Sequence, residues 1–265
     1  MIGHASPIEH LAFGVGAGVA IFVYGAVWLG RRDRSRLRMA SWSSGVVAVV
    51  VATLPIMERW SQRTFTGHMV QHLLLIAIAA PLLVAAEPIR LLTSRFPPHG
   101  RRARWERRVG RWWRAYGPIV GVASFVVVLY LTHLTSLYDD ALSNRVLHDL
   151  EHAAYLLSAV LVWSTVRSGR RLQAPLRIAA VFAVIAASAL LGVVLITASE
   201  PLVATYADRL GRRTALADQR RAASLMWVGG MSTTLPLLIL SVWSWATAEQ
   251  RAAERAESIR DAPPA

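Results

Sequence analysis

Histidine is the side chain whose spacing in this sequence can do chemistry. His68 and His72, and again His148 and His152, stand four residues apart at the heads of two strongly apolar segments. Residues i and i+4 share one face of a helix. Each pair can therefore present two imidazole nitrogens to a single point, the first requirement of a metal site. Ionisable groups at membrane depth are costly and mark functional positions. Carboxylates at Glu58, Asp149, Glu151 and Asp218 fall in the same half of the chain's topology, and His133 closes a further apolar segment there. Asp149 and Glu151 are placed in sequence to accept the free imidazole N–H, which fixes the tautomer and raises ligand basicity. Imidazole suits zinc, copper and iron alike. Thioethers at Met57, Met69, Met226 and Met231 would tilt the choice toward Cu(I), although methionine in apolar helices ordinarily packs. The chain contains no cysteine, which excludes disulfides and thiolate ligands.

The elements that must position these residues are transmembrane helices. The 265 residues are 54% hydrophobic, and mean hydropathy is positive at +0.40. Several apolar stretches approach the ~20 residues needed to cross a ~30 Å hydrocarbon core. The strands of a barrel would show ~10-residue alternating segments, which are missing here. The expected fold is an all-α polytopic bundle with seven spans near 10–30, 39–57, 67–87, 117–134, 145–166, 175–197 and 222–246. A membrane domain over 1–248 is then followed by a cytoplasmic polar tail over 249–265.

Loop charge sets the orientation. Every basic residue is arginine, and 21 of the 29 fall on one side of the expected topology. They include Arg31, Arg32, Arg34, Arg36 and Arg38, those of the 88–116 linker, those of 167–177, and those of the tail. By the positive-inside rule the N-terminus is outside and the C-terminus cytoplasmic. The first span reads as an N-out anchor rather than a cleaved signal peptide, because its basic cluster follows it. The two histidine pairs, with His4, His10 and His133, then face the outer side, and only His99 the cytoplasm. The net charge of +13 does not indicate a nucleic-acid partner, since the arginines lie between apolar spans.

The linker RRARWERRVGRWWR reads as an interfacial amphipathic segment on anionic headgroups of the lipid bilayer. In the outer segment 198–221, Leu202, Tyr206, Leu210 and Thr214 recur near every fourth residue, predicting a short surface helix able to act as a lid. Pro81 predicts a kink in the third span. Gly229 and Gly230 in the last span allow close helix contacts.

Three segments together resemble a known family: HMVQHLLLIAIAAPLLVAAEPIRLL, LHDLEHAAYLLSAVLVWSTV and DQRRAASLMWVGGM. They are similar to the multi-span cytochrome c oxidase assembly factor family CtaG, first defined with the caa-type oxidases. The resemblance runs from about Phe65 to Trp243. It implies a multi-pass protein of the bacterial inner (plasma) membrane that helps mature a haem–copper oxidase by assisting copper delivery. Its partners would be oxidase subunits or copper chaperones. On matching positions it carries over His68, His72, Pro81, Pro88, His148, His152, Asp218 and Gln219. The metal ligands expected are His68, His72, His148 and His152, supported by His133, Asp149, Glu151, Asp218 and Gln219. Copper is the expected metal and zinc the lesser candidate. Two other readings stay open: a membrane zinc-dependent hydrolase, with Glu151 or Asp218 acting on a bound water, and a b-type haem electron carrier. A transporter is disfavoured by the lack of an inverted repeat.

Overall fold

A computed structural model describes residues 7–30, 35–93, 99–167 and 174–260. His4, Arg31, Arg32, Arg34, Arg170, Arg171 and residues 261–265 lie outside the described residues. The described residues are helical throughout, without strands. In chain order the helices are α1 (Pro7–Leu29), α2 (Arg36–Ala52), α3 (Pro55–Arg63), α4 (Phe65–Leu73), a π-helical stretch (Leu74–Ala79), α5 (Ala80–Ala85) and α6 (Pro88–Thr93). They continue with α7 (Gly100–Leu134), α8 (Leu137–Ser143), α9 (Arg145–Arg167), α10 (Ala174–Thr197), α11 (Ala204–Leu210) and α12 (Arg212–Arg260).

Four segments are long and apolar enough to cross a membrane: Phe65–Leu91, Ala103–Leu134, Ala174–Thr197 and Arg212–Arg255. A fifth is formed by α2 and α3 if they are counted together, for they meet at a 50° bend. Pro55 starts α3 and cannot donate a backbone hydrogen bond to α2, so the chain breaks there. Each of the seven segments expected from hydropathy falls on a helix, but length and apolarity alone single out four or five. The head of α9 carries His148, Asp149, Glu151 and His152, which lowers its apolarity, and the apolar part of α1 is the short Gly18–Leu29.

Two helices outrun their expected spans. The arginine-rich 101–114 stretch is the first half of α7, continuous with the apolar half through Pro118. Trp105 and Trp112 project from it, exposed. Likewise α12 runs 49 residues, about 74 Å at 1.5 Å per residue, and takes in most of the polar tail.

Before Pro81 the third apolar segment adopts the π-helical stretch. Proline removes an N–H and crowds the carbonyl four residues back, and the wider π turn sits where that crowding falls. Its Ile76 carbonyl accepts a 2.9 Å bond from Trp163 Nε1 on α9.

The core joins α4, α7, α9, α10 and α12. The tightest neighbours are α10 with α12, α7 with α9, and α12 with α4. Phe65, Met69, Phe125, Leu129, Tyr155, Leu191 and Ala222 form one buried cluster. On the far side, α1 lies against α2 and α6. There the Tyr24 and Trp42 rings stack at 4.9 Å, and Tyr24 donates to the Ala86 carbonyl at 2.7 Å.

Candidate metal centre

The elements that aim the histidines are fixed at their termini. Thr64 caps α4, its hydroxyl accepting from Gly67 N at 3.0 Å. A second cap arrives from α12: the Asp218 carboxylate accepts from Phe65 N at 2.6 Å, from Thr66 N at 3.3 Å and from the Thr66 hydroxyl at 2.6 Å. Free N–H groups and the helix dipole favour an anion at that end. Gly67 lets α3 lie across α4, since a Cβ there would come within 2.7 Å of the Trp60 backbone. Asp139 on α8 does for α11 what Asp218 does for α4, accepting from Ala204 N and Thr205 N.

Close packing of α9 on the third segment is with the π-helical stretch and α5, rather than with α4. At the histidine end the two helices stand further apart, and side chains fill the gap. His68 and His72 are 0% and 3% exposed, His148 and His152 3% and 7%. His68 Nε2 lies 2.8 Å from His72 Nε2, so one nitrogen donates a hydrogen bond to the other. The His148 and His152 ring centroids are 4.2 Å apart. Between the helices, His68 stands 5.4 Å from His148 and His72 stands 5.4 Å from His152. Donor atoms of His68, His72 and His152 all lie within 4.8 Å of one another.

Around this quartet the chain adds further donors. Glu151 is buried with its carboxylate between the rings, 3.6 Å from His68 Nε2 and 3.8 Å from His72 Nε2. Glu58 on α3, its side chain 31% exposed, lies 3.4 Å from His148 Nδ1. It is held there by Gln62 Nε2 at 3.1 Å and Gln71 Nε2 at 3.3 Å. His133 at the end of α7 gives its Nδ1 proton to the Leu129 carbonyl at 2.9 Å. That bond fixes the tautomer and leaves Nε2 as a free lone pair. Aromatic rings close the cluster: Tyr138 is 4.6 Å from His68 and Tyr155 is 4.2 Å from His72. Tyr155 shares a 2.5 Å hydrogen bond with the Thr132 hydroxyl.

The outer segment ends as a cover. Tyr206 on α11 is buried, with its ring 5.9 Å from Phe65 and 6.1 Å from Tyr138, and donates to the Ser61 carbonyl at 2.5 Å. Arg209 reaches the Gln62 carbonyl. Burial pushes the hydroxyls of Tyr138 and Tyr206 well above the ordinary tyrosine range, so both stay neutral donors.

The sequence-predicted residues divide cleanly. His68, His72, His133, His148, His152 and Glu151 come together. Asp149 does not: its side chain is 67% exposed and pairs with Arg145 at 3.9 Å. Asp218 caps α4, so it positions His68 without touching it. Gln219 ties the outer loop down, accepting from Leu202 N at 2.8 Å and donating to the Leu195 carbonyl at 3.0 Å. Leu202 and Thr214 are exposed and only Tyr206 of that stripe is buried. Met69 joins the hydrophobic core, and Met226 faces an apolar cavity. His10 lies on α1, and His99 precedes α7. Sequence reasoning missed Tyr155, although His148, Glu151, His152 and Tyr155 continue one helical stripe at steps of three and four.

The donor set fits a metal ion. Nδ1 of His68 and His72, Nε2 of His133, His148 and His152, and both Glu151 oxygens are buried without a hydrogen-bond partner. Each such group costs roughly 1–3 kcal/mol, a cost that coordination removes. Donors sharing one tetrahedral ion at roughly 2.1 Å stand about 3.4 Å apart. The spacing of Glu151 from the two imidazoles matches that figure and is too long for hydrogen bonds.

Residues 20–248 match the family model described as cytochrome c oxidase caa3 assembly factor. Among curated proteins, the chain is 26% identical to uncharacterized proteins of Mycobacterium bovis and Mycobacterium tuberculosis over 98% of its length. It is 24% identical to one of Mycobacterium leprae over 84%. The chain spans about two fifths of the length of these relatives, 41% of the first two and 36% of the third. No solved structure matches the chain.

Proposed function

The chain belongs to the cytochrome c oxidase caa3 assembly factor family, and from that premise we propose that it serves oxidase biogenesis by holding copper as cargo at the buried histidine cluster. The observation that carries this reading is the convergence of His68, His72, His148 and His152 on one enclosed volume, their ring nitrogens lacking other partners. Nitrogen donors without thiolates suit copper in either oxidation state. A carboxylate at Glu58 holds His148 by its outward nitrogen and leaves Nε2 for the metal. The partially exposed Glu58 gives the cluster a polar mouth, as handover to another protein requires. Charge distribution places that mouth outside a seven-span bundle whose C-terminus is cytoplasmic. The protein then acts as a binding module rather than an enzyme, with oxidase subunits or copper chaperones of the bacterial plasma membrane as its partners.

The test uses purified full-length chain in detergent, titrated with Cu(I) anaerobically and with Cu(II) in air. His72→Ala and His152→Ala are each expected to weaken binding at least about 100-fold, above the ~10–100-fold typical of losing an outer partner. Unchanged stoichiometry and affinity in both variants would remove the copper role. In cells, deleting the gene is expected to lower oxidase activity, restored by added copper.

A second reading is favoured by Glu151, which stands among three imidazoles as a general base stands beside zinc-bound water in a hydrolase. Hydrolysis of a lipid amide or ester by the zinc-loaded protein, lost in Glu151→Gln, would promote it. The b-type haem reading is weakened by crowding. Four rings within 5.8 Å of one another between centroids, His68 to His152 the widest of the printed pairs across the helices, leave no slot for a porphyrin plane.

A further inference from the structure

Resting on the copper reading, we infer that the cluster is built for two metal ions bridged by Glu151. One four-coordinate ion uses four donors. Here six side chains offer donors to one enclosed volume: His68, His72, His133, His148, His152 and Glu151.

The donors fall into two halves around the carboxylate. Glu151 Oε2 lies on the His68 side, 3.6 Å from its Nε2, and Oε1 on the His72 side, 3.8 Å from its Nε2. His148 completes the first half, its ring 5.4 Å from His68. His133 completes the second, its ring 6.3 Å from His72. His152 stands between them, 5.8 Å from His68 and 5.4 Å from His72. A carboxylate with one oxygen toward each half is the bridge of paired-metal centres, whose ions lie about 3.5–4 Å apart.

Charge balance agrees. Two monovalent copper ions carry two positive charges, and Glu151 with Glu58, 3.4 Å from His148 Nδ1, supplies two negative ones. A buried charge is tolerated when paired in this way. Loading displaces the proton shared between His68 Nε2 and His72 Nε2, and the two rings part from their 2.8 Å separation to face separate ions.

The experiment loads the full chain with Cu(I) anaerobically in detergent, removes excess by gel filtration, and counts copper per chain by elemental analysis. X-ray absorption on the same sample reads the copper–copper distance. The expected result is two coppers per chain with a copper–copper scatterer within about 4 Å. Glu151→Gln, eluting as the wild type does, is expected to retain one copper and lose that scatterer. One copper per chain in the wild type overturns the pair while leaving the single-copper reading intact. Two coppers without the scatterer overturn the bridge. A folded Glu151→Gln that keeps both signals overturns it as well. No copper retained at all overturns both readings together. Should Glu151→Gln fail to fold, the wild-type count and distance still decide.

Discussion

The histidine cluster and the apolar cavity beside it share walls yet have opposite chemistry. The cavity, about 730 Å³, is lined by Leu73, Phe125, Ala159, Val162, Met226 and Trp227 among others. Leu73 directly follows His72, and Ala159 and Val162 continue the stripe that begins with His148. Within one or two helical turns the same helices pass from buried nitrogen and carboxylate donors to a surface whose only polar contributions are hydroxyls, such as Ser188 and Thr233, and the Trp163 indole. A charged ion gains nothing by descending into such a surface. A cluster open at Glu58 and closed below therefore loads and unloads through one mouth, which suits exchange with a partner on the same side and not passage across a membrane.

That contrast can be broken from its polar side. Removing the carboxylate that seats α4 should have the largest effect. Asp218→Ala leaves Phe65 N, Thr66 N and the Thr66 hydroxyl without their acceptor. A loss of about 2–3 kcal/mol in stability is expected from bonds to a charged group, read as a lowered unfolding midpoint together with weaker copper binding. Asp218→Asn should recover part of both. Glu58→Gln leaves the cluster's shape but removes charge from its mouth. Copper affinity should fall about tenfold, with stability almost unchanged. An affinity equal to the wild type would mean that Glu58 has no part in the site.

Tyr206→Phe should cost about 1 kcal/mol through the lost bond to the Ser61 carbonyl. The same residue makes the cover sensitive to alkali. Its folded pKa is raised by burial above the ordinary 10.0, as is that of Tyr138. The stabilisation from their neutral hydroxyls is therefore fully present below pH 10 and is lost as pH rises from there toward the folded values. Denaturation midpoints measured from pH 8 to 11 should fall above pH 10, and less steeply in Tyr206→Phe. The smallest effect belongs to the apolar side. Gly230 lines the cavity with open space beyond it, so Gly230→Ala should leave copper binding untouched and stability within about 0.5 kcal/mol. Gly229→Ala meets Leu73 at 2.9 Å and should destabilise by about 1 kcal/mol or more. Copper affinity altered by Gly230→Ala would show that the two regions are coupled after all.

Much of the site could be read from spacing alone. Two i, i+4 pairs at the heads of apolar helices need only helical geometry to become convergent, and burial of all four rings follows that pattern. The choice between Asp149 and Glu151 was also open to helical phase. Glu151 sits a single residue before His152 and three after His148, within the angular range of that face. Asp149 is turned about 100° from His148 and reaches Arg145 and solvent instead. What spacing could not supply were long-range contacts. Asp218 touches α4 from about 150 residues away in sequence, and Glu58 reaches His148 only because the chain bends at Pro55. The extent of α7 and α12 escaped hydropathy for a different reason, since arginine is a good helix former and propensity carries a helix past the end of its apolar stretch.

The π-helical stretch has a consequence for tolerance to insertion and deletion. A π turn holds one residue more than the α-helix it interrupts. Removing a single residue from Leu74–Ala79 would let the strand of backbone relax to ordinary winding at little local cost. Everything above it would then be dialled by about 100° relative to everything below. His68 and His72 would swing off their shared aim while Trp163 kept its hold on the lower half, so one codon lost in a stretch of bland aliphatic residues would silence the cluster as thoroughly as losing an imidazole.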